Sequence, residues 1–273
     1  MSRTTQSTRR APLGIPVLTA AAMAIAIFGA FLGSGAWGGT PIREASGGWL
    51  DTDSTLLSPA GPAFGIWSVI YCGLAVYAIW QFTGTARTSV LQARTRGWVI
   101  ASALLNAVWI GVVQLGWLAA SLAVILILLA VLIRLFILLV ATPAPSAVER
   151  WLMWVVFGLY LGWVNVASIA NTAALLGSLG VGQDASWITP LAVALLAVAV
   201  LIGLGTCWYS RGHLGAPAAM AWGIAWIGVS RLDSPNASDT VAIAAFTGSG
   251  VLVLGALALA WVLRSRRGDR VAA

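Results

Sequence analysis

Charge is what this sequence has least of. Only 8% of its 273 residues are Asp, Glu, Lys or Arg, against 60% hydrophobic residues and a mean hydropathy of +0.93. A soluble domain carries about 25% charged residues, so this chain cannot clothe a soluble globule. Its apolar content also excludes intrinsic disorder. Lysine is absent, so all 15 basic residues are Arg; against 8 acids they leave a net charge of +7. The bilayer is the implied solvent. The surplus Arg then belongs to cytoplasmic loops of a membrane protein, and no nucleic-acid partner is expected.

Metal-binding and acid–base side chains are scarce too. His213 is the single histidine, and Cys72 and Cys207 both lie inside apolar runs. No CxxC or Cys/His spacing is present, so no metal-ligating residue is nominated. The spans defined below contain no Asp, Glu, Lys or His, and Arg134 is their only charge. An ion pump or proton-driven carrier normally places an ionisable group near the membrane midplane, which argues against both. No acid pair or activated nucleophile stands out, so no catalytic residue is nominated.

What the chain has instead is long charge-free intervals. A membrane helix needs about 20 apolar residues. The intervals define eight spans: 13–37, 62–83, 97–114, 117–140, 151–179, 187–208, 216–230 and 240–263. Gln114-Leu115-Gly116 is the turn that divides the long stretch 97–140. The span 216–230 is the shortest and is opened by Pro217, which a first helical turn tolerates. With both termini cytoplasmic, in the plasma membrane, only Arg43 and Arg231 fall on the outer side. Arg134 sits about two turns from the cytoplasmic end of its span and is expected to snorkel. The run after Arg9-Arg10 is too long for a signal-peptide core and is read as a retained helix.

The domain reading follows. Residues 1–11 form a cytoplasmic tail and 12–180 a five-helix unit. A break in style near 180–186 precedes three further helices, 187–263, and a basic tail, 264–273. The external loop 38–61 is long for a compact bundle, and is either a lid or a solvated connector.

Amides and indoles are the remaining signal. Asn106, Gln114, Asn165 and Asn171 fall within spans and are expected to face the bundle interior, because a buried amide in hydrocarbon needs a partner. Trp accounts for 15 residues. Trp37, Trp98, Trp117, Trp151, Trp187, Trp208 and Trp261 lie near span ends, as an interfacial belt would. Trp67, Trp109 and Trp163 do not fit that account. Asn106 and Trp109 are three apart and share a helical face, offering an amide and an indole to a common neighbour. A pocket of indoles with a few amides suits a flat, largely apolar ligand, such as a tetrapyrrole or a sterol. Gly158 and Gly162 form a GxxxG that permits close helix approach. Trp222 and Trp226 share a face that reads as packing.

Three motifs in order carry a resemblance. Phe64-x-x-Trp67-x-x-Ile70-Tyr71 opens the second span, and Asn106-x-x-Trp109 lies in the third. Tyr160-x-x-Trp163-Val164-x-x-Ala167-x-x-x-Asn171 lies in the fifth. Together they resemble the TspO/MBR family (tryptophan-rich sensory protein, translocator protein), over about residues 12–180. Ser58 to Trp67 is similar to the longer bacterial members, which append helices to a five-helix core. The resemblance implies an all-α, five-helix transmembrane bundle, here with about three additional C-terminal helices. Its cavity would open toward the loop after the first helix. It implies porphyrin, haem, sterol or benzodiazepine-type ligands, and roles in tetrapyrrole transport or disposal or in stress sensing. By position, Phe64, Trp67, Asn106, Trp109, Trp163 and Ala167 would line the cavity, with Tyr71, Tyr160 and Asn171 in support. A homodimer through membrane helices is also implied. No cofactor is required, and His213, on a cytoplasmic loop, is not expected to ligate haem iron. The leading expectation is a non-catalytic binding or translocating membrane protein, with a sensory or stress-regulating role. The alternatives are a light- and oxygen-dependent porphyrin-degrading enzyme and a passive permease for small apolar solutes.

Overall fold

The computed structural model describes residues 10–35, 40–42, 44–182 and 185–272, with 266–272 as backbone. Arg3, Arg9, Trp37 and Arg43 lie outside the described residues. Among those described, every regular element is helical. The main elements are α1 (Gly14–Gly33), α2 (Ile66–Trp80), the short α3 (Gly84–Thr88), α4 (Val90–Gln114) and α5 (Leu118–Ala141). They continue with α6 (Ala147–Ser178), α7 (Ile188–Tyr209), α8 (Gly215–Ser230) and α9 (Asp239–Ala272). Short 3-10 turns at Ser46–Gly48 and Gly61–Gly65 shape the first loop.

By length and composition, 7 helices among the described residues can cross a membrane, and the protein is a multi-pass all-α membrane bundle. The expected span 216–230 differs. It is α8, whose 16 residues rise about 24 Å, short of the roughly 30 Å hydrocarbon core. Its neighbours, not lipid, cover much of it: Met220, Ile224 and Ile227 are buried.

Two helices begin earlier than their charge-free intervals. α4 starts at Val90 and α6 at Ala147. In each a serine caps the first turn. Ser89 Oγ accepts the Gln92 N–H at 3.2 Å, and Ser146 Oγ accepts the Glu149 N–H at 3.1 Å; such a cap typically contributes ~1 kcal/mol. The extra turns carry Arg96 (6% exposed) and Glu149 (0%) into the helices. This corrects the expectation that the long helices hold no acid. Hydrogen bonds meet Arg96 and one oxygen of Glu149, while Glu149 Oε2 is buried without a partner. Ser89 and Gln92 donate to Glu149 Oε1 at 2.6 and 2.9 Å, Tyr77 and Gln81 donate to Gln92 Oε1 at 2.8 and 2.9 Å, and Arg96 donates to Gln81 Oε1 at 2.7 Å. The network ties α2, α4 and α6 together at the end of the bundle where the described chain begins.

α1, α2, α4, α5 and α6 share one core around Ile70, Leu74, Leu132, Leu135 and Met153. α7, α8 and α9 build a second around Leu196, Met220, Ile224 and Leu252. α6 is the wall between them, with Trp163 and Val164 turned to the first core and Val166 to the second. Its Gly158-x-x-x-Gly162 serves this intrachain contact. A Cβ on Gly162 would stand 2.2 Å from the Ala216 carbonyl oxygen, and one on Gly158 3.0 Å from the Gly215 Cα. Only glycine lets α8 lie this close. Trp117, Trp151, Trp187, Trp208 and Trp261 are exposed on the outer surface, as is Arg134.

Candidate functional site

Between α2, α4, α5 and α6, near the first loop, lies a cavity of about 40 Å³. All of Phe64, Trp67, Asn106, Trp109, Trp163 and Ala167 line it, and so does Asn171. The reason is local. A residue type that must leave lipid recurs on one face of each of three helices. The Gly61–Gly65 turn then swings Phe64 beside Trp67.

The aromatic walls interlock. Trp67 stacks on Tyr71 at 5.2 Å and 14°, and meets Tyr160 and Trp163 edge-on at 5.7 and 6.3 Å. Phe64 meets Trp163 edge-on at 5.6 Å. These are favourable aromatic geometries. Hydrogen bonds hold the walls upright. Asn106 Nδ2 donates to Tyr71 Oη at 2.7 Å, and Trp109 Nε1 donates to Asn171 Oδ1 at 3.1 Å. Asn171 Nδ2 donates to Ser121 Oγ at 3.1 Å, and Tyr160 Oη donates to the Ser102 carbonyl at 3.2 Å. Asn106 and Trp109 thus share a face and a cavity but hydrogen-bond to different helices. The short amide reaches α2, while the longer indole reaches α6.

Two polar atoms stay unanswered. Asn106 Oδ1 and Trp163 Nε1 are buried without a hydrogen-bond partner, and each residue is only 1% exposed. One is an acceptor and the other a donor. Leaving such a group unsatisfied costs about 1–3 kcal/mol.

The other amides behave differently. Gln114, expected to face inward, is instead exposed and donates to the Thr40 carbonyl at 2.7 Å. It is the last residue of α4, where loop carbonyls compete for its donor. Asn165 bonds back to its own helix, at Leu161 O, 2.9 Å away.

The first loop forms the roof, through Ile42, Trp49, Leu50, Ser58 and Pro59. It is folded down rather than solvated: Leu56 and Leu57 are each 5% exposed. Ser46 Oγ donates to the Val113 carbonyl at 2.9 Å. The Trp49 ring fills the space over Gly177, where a Cβ would stand 2.8 Å from it. α8 holds the other side: Trp222 Nε1 donates to the Ala63 carbonyl at 2.9 Å, and the Ala60 N–H donates to the Trp226 carbonyl at 3.1 Å. Arg231, just past α8, donates to the Thr52 carbonyl at 2.8 Å. Burial pulls its guanidinium down from its ordinary value and Asp53 draws it back up; it stays charged. The sequence marks this loop as a whole, with Trp49 as its visible signal. It offers no means of finding Ile125 and Leu128, which close the α5 side and read like any apolar helix residue.

A larger groove of about 600 Å³ runs beside the cavity, between α1, α2 and α4. Ile42, Phe64, Trp67 and Trp109 line both spaces and form the partition. Among the described residues no group of three or more His, Cys, Asp or Glu could hold a metal ion. His213 lies on the α7–α8 loop, stacked on Trp154 at 3.7 Å and 2°. That is the end of α6 away from the roof.

Fold and site together define a polytopic membrane protein with an indole-and-amide cavity under a folded loop. A family model described as TSPO-like protein matches residues 17–258, and the chain belongs to that family. The matched stretch takes in both helix groups. No curated protein and no solved structure matches the chain.

Proposed function

We propose that this protein binds, and passes along or senses, a flat and largely apolar ligand of the tetrapyrrole class. It would do so in the plasma membrane with both termini cytoplasmic, as the Arg distribution favours. The observation that carries the reading is the unanswered pair, Asn106 Oδ1 and Trp163 Nε1. A buried polar atom without a partner calls for one. A ligand bearing both an N–H or O–H and an acceptor oxygen answers both atoms at once, while the Trp67 and Trp109 rings cover its faces. The peripheral carboxylic acid groups of a tetrapyrrole provide this set, with an O–H for Asn106 Oδ1 and an acceptor oxygen for Trp163 Nε1; a sterol hydroxyl provides a smaller one.

Room is the second consideration. Ligand pockets usually measure about 300–1,000 Å³, so a 40 Å³ cavity holds only water. The neighbouring 600 Å³ groove is in range. Rotation of the Phe64 and Trp67 rings would merge the two. Binding is therefore coupled to side-chain movement in the partition.

The test is a titration of detergent-solubilised protein with protoporphyrin IX in the dark, following Trp emission. Saturable quenching is expected. Asn106→Ala and Trp163→Phe should each weaken it about tenfold, equivalent to ~1.4 kcal/mol. Non-saturable quenching, or variants that bind like the parent, would overturn the proposal. Illuminating the complex separates binding from breakdown, because only an enzyme yields a bilin-like absorbance.

A further inference from the structure

We infer that Arg231 is the latch of the roof, and that α7–α9 thereby control how fast ligand leaves the cavity; this rests on the ligand-site reading above. Arg231 is fully buried, 0% exposed, yet its guanidinium is turned to loop backbone. Its NH2 group donates to the Thr52 carbonyl at 2.8 Å and its NH1 group to the Asn236 carbonyl at 3.0 Å. Ser230 Oγ donates to the same Thr52 carbonyl at 3.2 Å, and Asn236 Nδ2 donates to the Asp53 carbonyl at 2.6 Å. Three of these bonds reach the tip of the first loop, and the fourth, from Arg231 to Asn236, braces the α8–α9 connection. Leu50 on one side of that tip and Ser58 on the other line the cavity. Ser54 carries the connection, donating to the Asp51 carbonyl at 2.8 Å and lying 2.9 Å from Ser58 Oγ.

The arrangement suits a reversible closure. A buried guanidinium is tolerated only while its hydrogen bonds are made. When the tip lifts, Thr52 and Arg231 both regain water, so the charge is never stranded. The direct contacts are exchanged for hydration and the loop can reopen. The Nε atom of Arg231, buried without a partner, is a donor that closure leaves unsatisfied, and this too eases release. α8 sets the latch in place because α6 and α9 grip it, through Gly162 against Ala216 and Gly228 beneath Phe246.

The experiment combines two readouts on the full chain in detergent. Hydrogen–deuterium exchange reports the loop without any ligand; the release rate of protoporphyrin IX reports the site. In Arg231→Ala, amides of residues 44–60 should exchange at least tenfold faster while α5 peptides keep the parent rate, and porphyrin should leave at least tenfold faster. Ser230→Ala and Asn236→Ala should shift both readouts the same way by a smaller factor, and Arg231→Lys should fall between parent and alanine. Unchanged exchange in 44–60 overturns the latch. So does faster exchange throughout the helices, which would mean a purely structural role, or a looser loop with unchanged release. If the parent protein binds no porphyrin, the ligand reading falls alone and the exchange data still judge the latch.

Discussion

Around Trp163 the five-helix group leaves a donor and an acceptor without partners beside an open space. Across α6, the helices of the α7–α9 group close on one another, and the open space there, about 140 Å³, lies at the α6–α7 edge beneath Leu56 and Leu57 and is walled almost wholly by apolar side chains. Leu252 sits over Gly203, Leu204 over Gly255 and Phe246 over Gly228. Its buried polar residues, such as Ser210, Ser230 and Arg231, gather at helix ends. Both groups draw on the same apolar residue types, so composition does not separate them. What separates them is where amides and indoles fall along the helices. In the first group they converge toward the loop-side ends of α2, α4 and α6, and a cavity results. In the second the small residues converge, and the helices close on one another.

Breaking the dense side should have the largest effect. Gly162→Leu forces a side chain into the Ala216 backbone and should lower stability by about 4 kcal/mol or more. Thermal unfolding in detergent would register it as a large fall in Tm, and an unchanged Tm would contradict the α6–α8 contact. Asn171→Ala comes next. It removes the acceptor of Trp109 and a partner of Ser121, and a loss of about 2 kcal/mol is expected. A change in Trp109 emission should accompany it.

Trp163→Phe should do the reverse of a usual core mutation. It deletes a donor that has no partner, so stability should hold or rise by up to about 1 kcal/mol even as ligand affinity falls. A clear loss of stability would mean that the packing of the larger ring against Phe64 and Trp67 outweighs the unpaired donor. The smallest effect belongs to Arg134→Gln. That residue is exposed on the outer face of α5, and a change within about 0.5 kcal/mol is expected; a larger one would give Arg134 a partner within the membrane.

The apolar spans, the turn at Gln114–Gly116 and the inward amides and indoles Asn106, Asn171, Trp67, Trp109 and Trp163 are legible in the residues themselves, while Phe64 and Ala167 are reached only through the family resemblance. The cause is physical: in lipid, charge is excluded and amides must find partners, so both leave a pattern in the chain. The same rule misplaces the starts of α4 and α6. A buried Arg96 or Glu149 held by hydrogen bonds from neighbouring helices looks, by sequence, like an exposed helix end. It also puts Gln114 inside, because residue type does not reveal that a helix stops there. The length of α8 and the partner of Gly158 and Gly162 are not legible either. Both depend on which helices become neighbours, and apolar helices of similar composition do not announce that. The roof contacts share this property, since Arg231 and Thr52 meet only after the fold has formed.

The most direct measurement is the indole N–H resonance of Trp163 in protein carrying isotope-labelled tryptophan, assigned by its disappearance in Trp163→Phe. On addition of protoporphyrin IX in the dark, that resonance should move and saturate over the concentration range in which Trp emission is quenched. If it stays still while emission is quenched, or if only the exposed Trp151 and Trp261 respond, the buried indole is not the ligand's anchor and the cavity is not the site.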